Sequence, residues 1–118
     1  MPQPPITIVE VEPFRRHALD VWREEELEEF KDYLARNREA GDIIPGTGGV
    51  RKVRWAASGR GKRGGARVVY YYHSDEVPLF LLTAYAKNAH TDLTMAQKQA
   101  MAKLVAILVG TYRGKGLS

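Results

Sequence analysis

Residues 50–73 read VRKVRWAASGRGKRGGARVVYYYH. Within them Gly59, Gly61 and Gly64 spell G-x-G-x-x-G, the spacing of a dinucleotide-binding turn. Such a turn follows a strand and opens a helix, whose N-terminus receives the pyrophosphate. Here Ala66–His73 follows instead, rich in valine and tyrosine, and that composition predicts a strand. A kinase glycine loop does join two strands. Yet no Val-Ala-Ile-Lys, His-Arg-Asp or Asp-Phe-Gly follows, and 118 residues are too few for a kinase. The stretch therefore predicts a hairpin: a strand over Val50–Trp55, a basic loop over 56–65 and a strand over Ala66–His73.

Outward from the hairpin, Pro78–Tyr85 predicts a further strand after a short turn at Asp75–Glu76. Ile6–Val11 alternates β-branched and polar residues and predicts the first strand, ended by Pro13. Phe14–Asn37 is helical in character, with two helices meeting near Val21–Arg23. Leu27, Phe30 and Leu34 recur at helical spacing. Glu24, Glu25 and Glu26 suit the positive end of the second helix. Gly41 is expected at the C′ position of that helix, and Ile43–Ile44 is expected to pin the following loop to the core. Thr94 and Gln97 fit a capping box that starts a last helix running to about Val109, closed by Gly110. The order β-α-α-β-β-β-α predicts an α+β fold: a small antiparallel sheet with the helices packed on one face. One domain is expected over 1–118, with 1–5 and 111–118 fraying.

The chain is 44% hydrophobic, enough for one modest core. It has no cysteine, so disulfides and thiolate metal sites are excluded. His17, His73 and His90 lack metal-ligand spacing. No apolar run approaches the roughly 20 residues that span a bilayer, and MPQPPITIVEVE lacks the basic start and apolar core of a signal peptide. A soluble, cytoplasmic protein with no membrane partner is expected. The net charge is +4, but its distribution is more informative. Residues 10–42 hold 11 of the 14 acids. Residues 43–74 hold no acid and seven cations: Arg51, Lys52, Arg54, Arg60, Lys62, Arg63 and Arg67. Such a block is the footprint of a polyanion partner.

Strand alternation sorts these cations, because residues i and i+2 share a face. Lys52 and Arg54 point together. Arg67, Val69, Tyr71 and His73 share one face, and Val68, Tyr70 and Tyr72 the other. Leu81, Thr83 and Tyr85 align, with Lys87 in phase beyond, while Phe80, Leu82 and Ala84 point to the core. In register, the sheet presents Lys52, Arg54, Arg67, Tyr85 and Lys87 on one open face. Cations on adjacent strands repel unless an anion lies between them.

No Ser/His/Asp triad or carboxylate pair is visible. Cleavage of RNA needs neither. The ribose 2′-OH attacks its own phosphate once deprotonated, and clustered cations neutralise the charge that grows on the phosphate. A lysine crowded by cations, or a histidine such as His90, can move the protons. DNA lacks the 2′-OH and is not a substrate for this chemistry.

The segments GTGGVRKVRWAASGRGKRGGARVVYYY (46–72) and PLFLLTAYAKNAHTDLT (78–94) closely resemble the RelE/HigB family of type II toxin–antitoxin toxins, and its HigB-like branch in particular. The resemblance spans about residues 6–108. It implies a small antiparallel-sheet toxin that cuts mRNA on the ribosome and inhibits translation, without metal or organic cofactor. It implies a cognate antitoxin, in this branch often a HigA-like helix-turn-helix protein, and contact with operator DNA only through the antitoxin complex. The family's functional cations map onto Lys52, Arg54, Arg67 and Lys87 as catalytic residues. Tyr85, Asn88 and His90 are candidates for catalysis or substrate contact. Arg51, Arg60, Lys62 and Arg63 are candidate RNA contacts, with the loop glycines letting the backbone approach a phosphate surface. This chain departs from RelE after the last strand, where Asn88, Ala89, His90 and Leu93 replace an arginine-rich segment and a tyrosine. Two other readings stay open: a ParE-like gyrase poison on the same fold, and a basic nucleic-acid-binding module that cuts nothing.

Overall fold

The computed structural model of the chain describes residues 4–12, 14–55, 66–86 and 93–117. Its elements are β1 (Ile8–Glu10), α1 (Phe14–Leu19), α2 (Glu24–Arg36), β2 (Asp42–Ile43), β3 (Val50–Trp55), β4 (Ala66–Tyr71), β5 (Leu79–Ala86) and α3 (Met95–Leu117). They build one five-stranded sheet in the order β1-β5-β4-β3-β2. The α+β class is as expected, and the β3–β4–β5 meander is antiparallel. The sheet as a whole is mixed, however, because β1 runs parallel to β5, with Ile8 opposite Leu79. Two residues of the loop after α2 also extend the far edge as β2.

The helices do not share one face. Phe14, Ala18, Trp22, Leu27, Phe30 and Leu34 of the α1–α2 region close over Val68, Tyr70, Leu79, Leu81 and Ala84. Val105 and Val109 of α3 close over Val50, Val69, Tyr71, Phe80 and Leu82 on the opposite face. The reason lies in β5: Leu79–Leu82 is apolar at every position, and a strand greasy on both sides must be covered on both. Tertiary packing also carries α3 through Gly110 to Leu117. Val109 is buried, and the Tyr112 ring meets Phe80 edge-on at 5.3 Å. That contact holds the helix past a residue whose intrinsic cost is about 1 kcal/mol. The helix start is as predicted: Thr94 N–H donates to Gln97 Oε1 (2.9 Å) and Gln97 N–H to Thr94 Oγ1 (3.1 Å).

A β-bulge interrupts the β4–β5 ladder. Val69 pairs with Thr83 and Tyr70 with Leu81, so Leu82 is the extra residue. One inserted residue shifts the two-residue alternation beyond it. Leu81 therefore packs under α1 and α2, whereas Tyr85 emerges on the α3 side. Ala84 likewise parts from Phe80 and Leu82. These corrections to simple alternation leave Tyr85 opposite Arg67.

Glu10 ties β1 to both N-terminal helices. It accepts from Arg15 Nη1 (3.0 Å) and Lys31 Nζ (2.6 Å). Burial pushes its carboxyl up, but hydrogen bonds and charge from Lys31 and Arg15 outweigh this and hold it below the ordinary value. Its stabilisation is therefore complete above the ordinary carboxylate range and fades as pH falls through the lowered value. Glu10→Gln is expected to cost on the order of 1.5 kcal/mol at neutral pH. The gap to wild type should close in acid, as read by urea unfolding at pH 7 and pH 3. A gap that stays constant with pH would remove Glu10's charge from the account.

Candidate nucleic-acid interface

The register of three strands assembles the cation face. Arg54 lies directly opposite Arg67, and Arg67 directly opposite Tyr85, so the three form one row across β3, β4 and β5. One step along, Lys52 faces Val69. Lys52 and Arg54 share the side of β3 that carries Val50, which α3 buries. The helix covers that end of the face and leaves the end with Lys52 and Arg54 exposed. Arg67 and Tyr85 are half-buried. Among the described residues, neither Lys52 nor Arg54 makes an ion pair. Arg54 and Arg67, directly opposite across the ladder, set two like charges side by side.

Arg51 points the other way. Its Nη1 donates to the backbone oxygens of Gly41 (2.7 Å) and Glu39 (3.4 Å). The guanidinium is thus spent holding the post-α2 loop to β3, on the side away from Lys52 and Arg54. Arg60, Lys62, Arg63, Lys87, Asn88 and His90 lie outside the described residues. His17, a histidine given no role by the sequence, sits with Nδ1 2.8 Å from Thr83 Oγ1 and joins α1 to β5.

Beside Lys52 and Tyr85 the cation face deepens into a cleft of about 240 Å³. Its walls are Asp42, Ile43, Ile44 and Pro45 from the β2 region and Leu93 and Lys98 from the start of α3. Ile44 packs toward the core under α3, but Ile43, expected to be pinned inward, is 54% exposed and lines this cleft. The turn below it is made by Gly46, Gly48 and Gly49, all at positive φ. Gly46 also gives Lys98 room, since a Cβ there would lie 3.3 Å from Lys98 Cδ. Asp42 and Lys98 were not singled out by the sequence. Asp42 reaches the site through the β2–β3 ladder, opposite Lys52, and Lys98 because α3 crosses the face of the sheet that carries Lys52.

The arrangement can accept a phosphate group: two arginines and a lysine stand on the sheet, a tyrosine lies in register with them, and a second lysine stands across a cleft. Arginine forks suit phosphate oxygens, and sheet-borne side chains hold them in place. A family model described as the RelE toxin of the RelE/RelB toxin–antitoxin system matches residues 14–116, from the first residue of α1 almost to the end of α3. The match includes every residue of the cation face and of the cleft. The chain thus belongs to the RelE toxin family and is the toxin of a toxin–antitoxin system, with an antitoxin as its partner.

Proposed function

We propose that this toxin is a ribosome-dependent mRNA endonuclease of the HigB-like branch, working without metal or organic cofactor. The observation that carries the reading is the row Arg54–Arg67–Tyr85 with Lys52 beside it. A poison acting by protein contact has no need of like charges set opposite one another. A substrate phosphate does, because charge grows on its oxygens as the reaction proceeds. In the reaction the 2′-oxygen loses its proton and bonds to phosphorus, and the bond from phosphorus to the 5′-oxygen breaks. The leaving oxygen takes up a proton. The products are a 2′,3′-cyclic phosphate and a 5′-hydroxyl. Lys52, Arg54 and Arg67 stabilise the phosphorane oxygens, and Lys87 completes the cation set. Tyr85, Asn88 and His90 are the candidates for proton transfer or substrate contact. Arg60, Lys62 and Arg63 contact ribosomal RNA backbone. The antitoxin of this reading is a HigA-like helix-turn-helix protein, and operator DNA is reached only through the complex of the two. The site of action is the cytoplasm.

The test is brief induction in bacterial cells with mapping of mRNA 5′ ends. Cuts are expected within translated codons, in frame, bearing 5′-hydroxyls. A single 2′-deoxy substitution at the cut position of a ribosome-bound message is expected to block cleavage there. Growth arrest with intact mRNA would overturn the reading and move the target to gyrase or another protein.

A further inference from the structure

Resting on the nuclease reading, we propose that the cleft beside Lys52 holds the nucleobase next to the cut phosphate. We propose further that Asp42 selects there for bases bearing an exocyclic amino group, namely adenine, cytosine or guanine, over uracil. The size and walls of the cleft fit this class. At about 240 Å³, below the roughly 300 Å³ at which drug-sized sites begin, it has room for a single base. Pro45 and Leu93 supply apolar faces, and Tyr85 a ring. Lys52 on the sheet and Lys98 on α3 stand at the same cleft, and a base seated there would have its flanking phosphates near these two cations.

Asp42 is the feature that bare phosphate binding does not explain. It is directly opposite Lys52 across the β2–β3 ladder and lines the cleft. Among the described residues it makes no ion pair. A carboxylate at a phosphate site weakens the field that the cations create. It favours a ligand only by accepting a hydrogen bond, and an ionised carboxylate accepts and never donates. The amino groups of adenine, cytosine and guanine donate, as in carboxylate readout of the cytosine amine. Uracil offers a single N–H flanked by two carbonyl oxygens, which the carboxylate repels.

The experiment uses four RNA trinucleotides made uncleavable by 2′-deoxy substitution and differing in one base. Their binding to the purified full chain is followed by calorimetry. The uracil version is expected to bind about tenfold more weakly than the other three, within the range of one polar base contact. Asp42→Asn, whose amide both donates and accepts, should shrink that gap to less than about twofold. Lys98→Ala should weaken all four alike and lower the salt slope by about 0.7, the loss of one single-strand phosphate contact. Equal binding of all four by the wild type would overturn the proposal. So would an Asp42→Asn effect equal for every base, which would make Asp42 a support for Lys52. The mapped cuts separate the two levels of inference. A wild type that cuts nothing removes the nuclease reading, while the binding ratio still judges the cleft. A wild type that cuts, with base usage unmoved by Asp42→Asn, removes the cleft proposal alone.

Discussion

Arg67→Ala is expected to lower the cleavage rate about 10²–10³-fold, the usual loss when one donor to a developing oxyanion is removed, and to leave the protein folded. Both halves follow from its place in the ladder. Arg67 is the middle of the row, with Arg54 on one side and Tyr85 on the other. A phosphate over the row is within reach of Arg67 wherever it sits between β3 and β5, so no neighbour replaces it. The fold should hold, because Arg67 is half-buried and belongs to neither hydrophobic cluster. The hydrophobic layers of β4 on either face, Val68 and Tyr70 beneath α1 and α2 and Val69 and Tyr71 beneath α3, stay whole. Cutting lost from a protein that still melts cooperatively is a signature that a merely structural arginine does not give. Arg67→Lys should recover part of the rate, since it restores charge but not the two-pronged fork. The measurements are growth after induction at matched expression, mapped 5′ ends and a thermal melt. Undiminished arrest and cutting by Arg67→Ala would take Arg67 out of the site. A collapsed melt would make it structural.

The cation face is legible in the sequence because it depends on local rules. Lys52 and Arg54 share a face by strand alternation, and Arg67 joins them through a hairpin whose strands have no room to slip: one residue of slip would put Val68 and Tyr70 in water. Two features were not legible. The bulge at Leu82 has no glycine or proline to announce it, and it decides which face Tyr85 joins. Alternation alone placed Leu81 with Tyr85, and the structure parts them. The side taken by α3 was also hidden, since Met101, Leu104, Val105 and Leu108 say that a helix has an apolar face but not which sheet surface meets it. The sign was in Leu79–Leu82, whose unbroken apolar run requires cover on both sides. Asp42 meets Lys52 only through the two-residue edge strand β2, and Lys98 only through the side taken by α3, so the cleft emerges only with the fold.

Gly41→Ala is expected to destabilise the protein by about 2–3 kcal/mol, lowering its melting temperature on the order of 10 °C for a domain of this size. The sequence marked Gly41 as a helix cap, but α2 already ends at Arg36, with Asn37 as its C-cap, and Gly41 is not among the glycines at positive φ. Its backbone suits alanine; its surroundings do not. A Cβ there would lie 2.8 Å from the Lys52 carbonyl oxygen and 2.9 Å from Tyr70 Cε1. The first obstacle is the backbone of β3, which no side-chain rotation relieves. The second is a fully buried ring held at its hydroxyl, which accepts from Gly41 N–H (2.8 Å) and donates to the Arg38 carbonyl (3.0 Å). Burial pushes the Tyr70 hydroxyl up, partly offset by the Gly41 hydrogen bond, so it stays protonated and able to donate at neutral pH. Arg51 closes the knot from the other side by donating to the Gly41 carbonyl. Pushing these apart moves β2 away from β3, and with it Asp42 away from Lys52. The folded fraction of Gly41→Ala should therefore cut less and discriminate bases less, though no side chain of the site has changed. Calorimetric melts and base-resolved cleavage at a temperature where both proteins are folded would test this. A wild-type melt would mean that β2 yields without cost, and the edge of the cleft would then be soft. A lowered melt with unchanged base preference would mean that the cleft is held by α3 and the 45–49 turn, not by Gly41.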